Sequence, residues 1–274
     1  MTLTLFICTA FFFFLSILYL KFRSYVPILM YHRIADIPGD RNALPPNKFR
    51  DQLDYLVLNG FHTITPDDLL NYYQKNVPLP KKPILLTFDD GYTDNYTTAL
   101  PLLKERNMSA VVCPILNWIG KPNHWENFSK PPATTMTLQE LQDWHTSGCF
   151  IAAHTCNHPF LSNCDKPTLT NEILTCKQKL SEEFVQEISF LCYPYGDFNE
   201  QTITAVKSCG YKGAFAIFEN VPIWKLNMFC LPRIPIQAHQ SMWEFRLKVS
   251  NIHILFIALR KWERIFKKFF RHKK

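Results

Sequence analysis

Beyond residue 24, apolar and polar positions divide the chain into alternating strand-like and helix-like segments. The strand-like segments are short, mostly apolar runs bounded by glycine, proline or charged residues. They predict strands at Pro27–Ile34, Phe61–Ile64, Pro83–Phe88, Ser109–Ile115, Phe150–His154, Ile188–Tyr193, Tyr211–Ile217 and Cys230–Ile236.

Helical spacing of apolar residues is found between several of these strands. Thr137 and Glu140 form a capping-box pattern, which predicts the start of one helix. The apolar face of an earlier helix would comprise Phe49, Leu53, Leu56 and Val57. Two further helices are predicted at Pro167–Phe184 and Asn199–Cys209.

The order of these elements predicts the fold class. Most strands are followed by helices, and the strands are continuously apolar, which is typical of a parallel sheet covered on both faces. We therefore expect an α/β fold, a distorted (β/α) barrel of about seven to eight strands, preceded by a membrane-anchor helix. Lys121–Thr135 is predicted to be a long loop, which either shapes a substrate groove or is a tolerated surface insertion.

The first 24 residues predict a transmembrane or signal-anchor segment. Leu3–Leu20 is almost wholly apolar and just long enough to span a bilayer. No basic residue precedes the run and bulky residues follow it, which favours an uncleaved anchor over a cleaved signal peptide. Lys21 and Arg23 come after it, so the domain predicted at residues 25–250 should face the cytoplasm, although the external face stays open.

The net charge of +7 is concentrated in the tail at residues 251–274. This tail contains eight Lys or Arg and one Glu, with Trp262, Phe266 and Phe269 among its helically spaced apolar residues. We interpret it as a basic amphipathic helix on an anionic membrane surface, the alternative being a solvated charged tail. The rest of the chain has no basic patch, which argues against nucleic-acid binding.

The nine cysteines include no CxxC pair and show no spacing typical of a disulfide framework. Cys113, Cys192 and Cys209 lie in apolar stretches and are interpreted as small core residues. Free thiols at this density favour a reducing compartment.

Polar groups follow three of the predicted strands. Asp89 and Asp90 follow one strand, His154 and His158 end another, and the turn Tyr193–Gly196 ends a third. In barrels, functional side chains gather at the carboxyl ends of the strands. Two histidines and one carboxylate form a ligand set suited to Zn²⁺ at a catalytic site, or to another first-row divalent ion. The second aspartate would remain available as a base.

The motifs "LLTFDDGYTDN", "HTCNHPFLS" and "YPYGDFN" resemble those of the polysaccharide deacetylase family, carbohydrate esterase family four. The resemblance covers roughly residues 26–236. It implies a distorted (β/α) barrel that removes N-acetyl groups from amino sugars. It also implies the following roles: Asp90, His154 and His158 as metal ligands, Asp89 as general base, Thr155 as support for the metal site, and the backbone N–H of Tyr195 as an oxyanion donor. Zn²⁺ is the expected metal, with Co²⁺, Mn²⁺, Fe²⁺ or Ni²⁺ as alternatives.

The general acid departs from the common family pattern. That pattern has a histidine after an apolar strand near the end of the domain, where this chain has only His239 and His253, neither in that setting. The strand-then-histidine pattern occurs instead in "ILMYH". This resembles the circularly permuted poly-β-1,6-N-acetylglucosamine deacetylases and implies that His32 is the acid. A lone histidine at a strand end is otherwise usually structural.

The arginine that precedes the Pro-Tyr-Gly turn in the family is also absent. Cys192 and Tyr193 stand there, and Arg233, at another predicted strand end, either replaces it or forms a surface ion pair. Asp197 is assigned to the turn.

The sequence therefore predicts a metal-dependent N-deacetylase. Its substrate would be an N-acetylhexosamine unit in a polysaccharide or in a lipid-linked glycan, and the anchor and tail would contact membrane lipids. The alternative is a catalytically silent, membrane-tethered glycan-binding protein with the same fold.

Overall fold

The computed structural model describes residues 25–123, 133–217 and 227–250, together with Phe13 and Ser16. The chain forms two compact units, one of Ile28–His239 and the other of Met1–Pro27 with Gln240–Lys274. No helix within the described ranges is long and apolar enough to cross a membrane. The predicted anchor, apart from Phe13 and Ser16, and the predicted basic tail lie outside those ranges.

Eight short strands are present in the described part of the larger unit. We number them along the chain as β1 (Ile28–Tyr31), β2 (His62–Thr63), β3 (Pro83–Asp90), β4 (Val111–Pro114), β5 (Phe150–Ile151), β6 (Phe190–Cys192), β7 (Gly213–Ile217) and β8 (Leu231–Pro235).

All the strand pairings are parallel, and the order along the sheet is β5-β4-β3-β1-β8-β7-β6, with β2 paired to β3. The sheet curls, and its first and last strands approach at one isolated bridge between Ala153 and Leu191. The α/β class and the curled parallel sheet agree with the sequence prediction. The first strand of the chain lies between β3 and β8, in register with both.

Helices connect the strands. They are α1 (Pro46–Leu58), α2 (Pro66–Lys75), α3 (Leu100–Lys104), α4 (Leu138–Thr146), α5 (Lys166–Phe184), α6 (Glu200–Ser208) and, in the smaller unit, α7 (Met242–Lys248). The predicted capping box at Thr137 and Glu140 is present at the start of α4. Two helices were not predicted from the sequence: α2, although Thr65 and Asp68 form a capping box at its start, and the short α3.

Two predicted core positions are wrong. Val57 on α1 is 45% exposed, whereas Gln52 on the same helix is buried and accepts a hydrogen bond from the Tyr31 hydroxyl at 2.9 Å. A buried amide with a partner thus takes the place that helical spacing assigned to an aliphatic residue. Cys209 is only half-buried, because it follows the last residue of α6, whereas Cys113 and Cys192 are fully buried.

An aromatic cluster packs behind the carboxyl end of the β1–β3 pair. Tyr31 stacks on Phe88 with ring centroids 5.3 Å apart, and Phe49 and Trp144 meet Phe88 edge-on at 5.8 Å. All four rings are buried, and burial of rings of this size contributes on the order of 2–3 kcal/mol each. The backbone that carries the neighbouring aspartates is therefore supported by rigid packing.

Candidate metal centre and active-site pocket

One pocket collects polar side chains at the carboxyl ends of the strands. It is lined by Met30, His32, Asn42, Asp89, Asp90, His154, His158, Tyr193, Tyr195, Gly196 and Ile217. Strands β1, β3, β5 and β6 each lead into it, and every predicted site residue except Arg233 and Thr155 is among those that line it. Among the residues that sequence reasoning missed, Asn42 comes from an irregular loop that carries no motif.

Asp90, His154 and His158 converge at this pocket. The Nε2 atoms of the two histidines each lie 3.5 Å from Oδ1 of Asp90, and all three side chains are buried. Around a tetrahedral zinc ion with ligand bonds of about 2.0–2.1 Å, neighbouring ligand atoms are about 3.3 Å apart. The three atoms therefore fit a single divalent ion with little movement.

The hydrogen bonds and pKa shifts of the two histidines determine how each could bind a metal ion. Nδ1 of His154 lies 2.9 Å from the carbonyl oxygen of Cys192, which can only accept, so Nδ1 carries a proton and Nε2 is the atom left for a metal ion. Burial lowers the pKa of His154, but Cys192 and the hydrogen bond with Asp90 outweigh burial and raise this pKa, so an ion at Nε2 would displace a proton. Burial and the neighbouring His154 lower the pKa of His158 to about 4, so this imidazole is neutral at neutral pH. Neutral imidazole is the form that binds metals.

Several site residues have left-handed backbone conformations. Asp90, Thr155, His158 and Tyr195 have φ between 56° and 69°. Such a conformation costs roughly 1–2 kcal/mol per non-glycine residue, and it persists only where surrounding contacts hold it. Gly91, at φ 68°, follows Asp90, and a Cβ there would lie 3.1 Å from Pro114, so both the backbone conformation and the close contact favour glycine in this turn.

Asp89 forms a buried ion pair with Arg233. The guanidinium donates from Nη1 to Oδ1 at 2.5 Å and from Nη2 to Oδ2 at 2.7 Å, and Arg233 is fully buried, so the surface ion pair considered for it is wrong. Burial by itself would raise the pKa of Asp89, but the charge and hydrogen bonds of Arg233 hold it well below its ordinary range. Asp89 is thus ionised at any working pH.

Cys113 and Cys192 lie beside the same carboxylate. Their sulfur atoms and an oxygen of Asp89 lie within 4.8 Å of one another. This second cluster is unsuited to a cation, because Arg233 already occupies both oxygens of Asp89.

His32 lies directly after β1 and lines the pocket, whereas His239 is exposed and does not. The carbonyl oxygen of His32 accepts a hydrogen bond from Nδ2 of Asn95 at 2.7 Å, and Asp94 accepts from the next two residues. The segment after the Asp-Asp-Gly turn therefore holds the backbone that carries His32. His253 lies outside the described residues.

Tyr195 and Phe160 form an exposed aromatic pair beside the candidate metal ligands. Their rings stack at 4.1 Å, and Tyr195 meets His158 edge-on at 4.4 Å. Asp197, by contrast, accepts hydrogen bonds from the backbone and hydroxyl of Ser162, which is the structural part assigned to it.

The predicted loop at Lys121–Thr135 begins and ends with antiparallel contacts. Pro122 pairs with Thr134, and Tyr92 pairs with Thr135. Residues 124–132 are outside the described ranges, so its part in a substrate groove stays a prediction.

A model of the polysaccharide deacetylase family matches residues 76–214 of the chain. A Bacillus subtilis (strain 168) protein, YxkH, which its name assigns provisionally to the polysaccharide deacetylases, is 29% identical over 227 residues, covering 83% of this chain and 77% of the relative. The poly-beta-1,6-N-acetyl-D-glucosamine N-deacetylase of Staphylococcus aureus (strain MSSA476) is 25% identical over 203 residues, covering 71% of this chain and 68% of the relative.

Solved structures share the fold. The Streptococcus pyogenes deacetylase PplD in complex with acetate superposes with a TM-score of 0.72 at 24% identity, covering 82% of this chain and 98% of that one. IcaB from Ammonifex degensii superposes with a TM-score of 0.71 at 22% identity, covering 82% and 97%.

Proposed function

Since this chain belongs to the polysaccharide deacetylase family, we propose that it is a metal-dependent N-deacetylase. It hydrolyses the acetamide of N-acetylhexosamine units in a glycan and releases acetate. Its reaction class is hydrolysis of carbon–nitrogen bonds other than peptide bonds. The observation that carries the proposal is one pocket containing a three-ligand site, a buried ionised carboxylate and a histidine.

The metal site would consist of Asp90, His154 and His158, whose ligand atoms lie within 4.8 Å of one another. Two imidazoles and one carboxylate suit zinc, with Co²⁺, Mn²⁺, Fe²⁺ or Ni²⁺ as substitutes. A divalent ion held there would polarise the acetamide carbonyl and lower the pKa of the attacking water. Thr155 supports this site, since its hydroxyl accepts a hydrogen bond from the backbone N–H of His158 at 3.0 Å.

Asp89 is the proposed general base. It accepts a proton from the attacking water as the water oxygen bonds to the acetamide carbon. Arg233 holds both carboxylate oxygens, which fixes the direction in which Asp89 faces the pocket. The ion pair also lowers the basicity of Asp89, so the water must already be acidified before the proton moves.

Tyr195 and His32 complete the proposed machinery. The backbone N–H of Tyr195 donates to the oxygen that becomes negatively charged, and the left-handed conformation of this residue sets the direction of its peptide group. His32 donates a proton to the nitrogen as the carbon–nitrogen bond breaks, so that a neutral amine leaves and acetate remains. Asp89, Asp90, His154 and His158 are buried, whereas His32 is partly exposed and so can exchange protons with solvent.

The substrate class follows from the relatives and the predicted topology. Similarity to a poly-beta-1,6-N-acetyl-D-glucosamine N-deacetylase favours a polymer of N-acetylglucosamine. The charge pattern at residues 1–24 favours a cytoplasmic domain, and such a domain would act on a lipid-linked amino sugar. We propose an N-acetylhexosamine glycan as the substrate common to both arguments.

The alternative function is a silent glycan-binding protein with the same fold. Loss of an aspartate or a histidine from the site would favour it, but Asp89, Asp90, His154 and His158 are all present and converge. The proposed enzyme therefore explains more of the pocket than a binding role does.

Acetate release tests the proposal directly. Purified protein, stripped of metal and then loaded with zinc, is incubated with β-1,6-linked N-acetylglucosamine oligomers or with a polyprenyl-linked N-acetylhexosamine. We expect equal amounts of acetate and free amine with one of the two, and neither product from Asp90→Asn. If the zinc-loaded protein binds both substrates and deacetylates neither, the silent binding protein replaces the enzyme.

A further inference from the structure

The carboxylate of Glu172 lies behind the loop that carries both histidine ligands. We propose that Glu172 is a positioning residue for the metal site, because it fixes the peptide groups between His154 and His158. The inference rests on the proposed function, since it assumes that these histidines hold a metal ion.

The His154–His158 loop is not in a relaxed conformation. Thr155 has φ 65° and His158 has φ 62°, and side-chain-bearing residues seldom adopt this left-handed region. Neither residue is glycine, so surrounding contacts must hold the conformation, and the Thr155–His158 hydrogen bond is the one described within the loop itself.

Glu172 supplies contacts on one side. Its Oε2 accepts hydrogen bonds from the backbone N–H groups of Cys156 and Asn157, both at 2.9 Å, and its Oε1 accepts from Nδ2 of Asn157 at 2.6 Å. Glu172 lies on α5 and is only 5% exposed. A buried carboxylate is tolerated only where donors satisfy it, and the hydrogen-bond donors described for this one all come from the loop.

The segment after β4 holds the other side of the loop. The backbone N–H of Leu116 donates to the carbonyl of Thr155 at 3.1 Å, and that of Asn117 donates to the carbonyl of Cys156 at 3.0 Å. The peptide groups around Cys156 thus form hydrogen bonds on both sides, to Glu172 and to the segment after β4. Without Glu172, the hydrogen bonds from Cys156 and Asn157 are lost. The preference of Thr155 and His158 for other backbone conformations remains.

Glu172 makes no described contact with either imidazole ring, so it acts on the ligands through the backbone. The consequence of its loss is a change in the spacing of the Nε2 atoms from Asp90, which is 3.5 Å for each histidine. Changes to groups that orient metal ligands typically reduce metal affinity 10–100-fold.

Glu172→Gln is the most informative change, because it keeps the size of the side chain. If the amide nitrogen takes the place of Oε2, two peptide N–H groups lose their acceptor. If it takes the place of Oε1, it faces the Asn157 amide, whose own oxygen is already held by Nδ2 of Asn117 at 2.9 Å. Either orientation removes at least one of the hydrogen bonds that Glu172 accepts from the loop.

Zinc affinity, measured by competition with a chelator on the full chain, tests the proposal, with the Co²⁺ absorption spectrum as a second readout of ligand geometry. We expect the zinc Kd of Glu172→Gln to rise at least tenfold and its Co²⁺ bands to shift. Glu182→Gln, an exposed position on the same helix, is the matched control and should stay within twofold of wild type. Glu172→Asp keeps the charge but reaches less far, so its Kd should lie between those of wild type and Glu172→Gln.

The outcomes separate this inference from the proposed function. A zinc Kd of Glu172→Gln within twofold of wild type overturns the positioning role, even if its metal-free melting temperature falls. If Glu172→Gln does not fold, Glu172→Asp decides by the same criterion. If wild type binds no zinc, or His158→Ala binds it as tightly as wild type, the metal site itself is refuted, and the role of Glu172 with it.

Discussion

Replacement of Arg233 by methionine removes the positive partner of Asp89 while keeping a long side chain in the core. Arg233 is fully buried and donates to both oxygens of Asp89, whose side chain is 6% exposed, and also to the Thr87 hydroxyl at 3.1 Å. Removing one partner of a buried ion pair leaves an uncompensated charge and costs about 3–5 kcal/mol. For a domain of this size, that corresponds to a melting temperature lower by roughly 6–20 °C.

The effect should depend on pH. In wild type the pKa of Asp89 is lowered, because the charge and hydrogen bonds of Arg233 outweigh burial. The stability from this pair is present above the unfolded pKa, about 3.9, and is lost only as the pH falls through the lower folded value. In Arg233→Met the largest effect that opposes burial is gone, so the pKa of Asp89 rises and the destabilisation is largest near pH 7. It should shrink as the pH falls and Asp89 takes up a proton.

Chemical unfolding of both proteins at pH 7 and pH 5, with a chelator present, measures this difference. Arg106→Met is the matched control, since Arg106 pairs with the half-exposed Asp54 at the surface, where ion pairs contribute about 0–1 kcal/mol. The double variant Asp89→Asn, Arg233→Met should be more stable than Arg233→Met, because it no longer buries an unpaired charge. If Arg233→Met unfolds within about 1 kcal/mol of wild type at pH 7, or its deficit grows on acidification, the reasoning is refuted.

The other predictions concern metal, acid and topology. Asp89→Asn should lose deacetylation but keep about one zinc per chain, whereas Asp90→Asn should lose both. Metal analysis of the purified proteins tests this. Loss of zinc from Asp89→Asn would contradict the assignment of Asp89 as base and Asp90 as metal ligand. His32→Ala should lower the rate on the order of 10²-fold or more with zinc retained, while His239→Ala stays within threefold; steady-state kinetics on metal-loaded protein test this, and a rate for His32→Ala within threefold of wild type would exclude His32 as the acid. A reporter fused to the carboxyl terminus should give a cytoplasmic signal if residues 1–24 insert as the charge pattern predicts, and a signal from the far side of the membrane would reverse that topology and favour an exported polymer as substrate.

Local patterns were sufficient for the strands, for most of the longer helices and for part of the pocket. The motif "TFDDG" ends a continuous apolar run. The burial of that run depends only on a few adjacent residues, and so does the preference for glycine after Asp90. The same holds for the His154–His158 spacing and for the capping box at Thr137. Helical spacing failed where a polar residue had a buried partner, as Gln52 has in Tyr31, because the pattern registers polarity and not the hydrogen bond that compensates it.

The sequence by itself determined that this is an α/β chain whose strands end in the residues of a candidate metal site. Only the tertiary structure decided how those ends meet. Arg233 and Asp89 are 144 residues apart, and they pair because β1 lies between β3 and β8 and the sheet curls. Strand order also brings His32 to the pocket, and the packing of α5 turns Glu172 toward the histidine loop. Burial and turn preferences belong to short segments, whereas these contacts depend on which strands become neighbours.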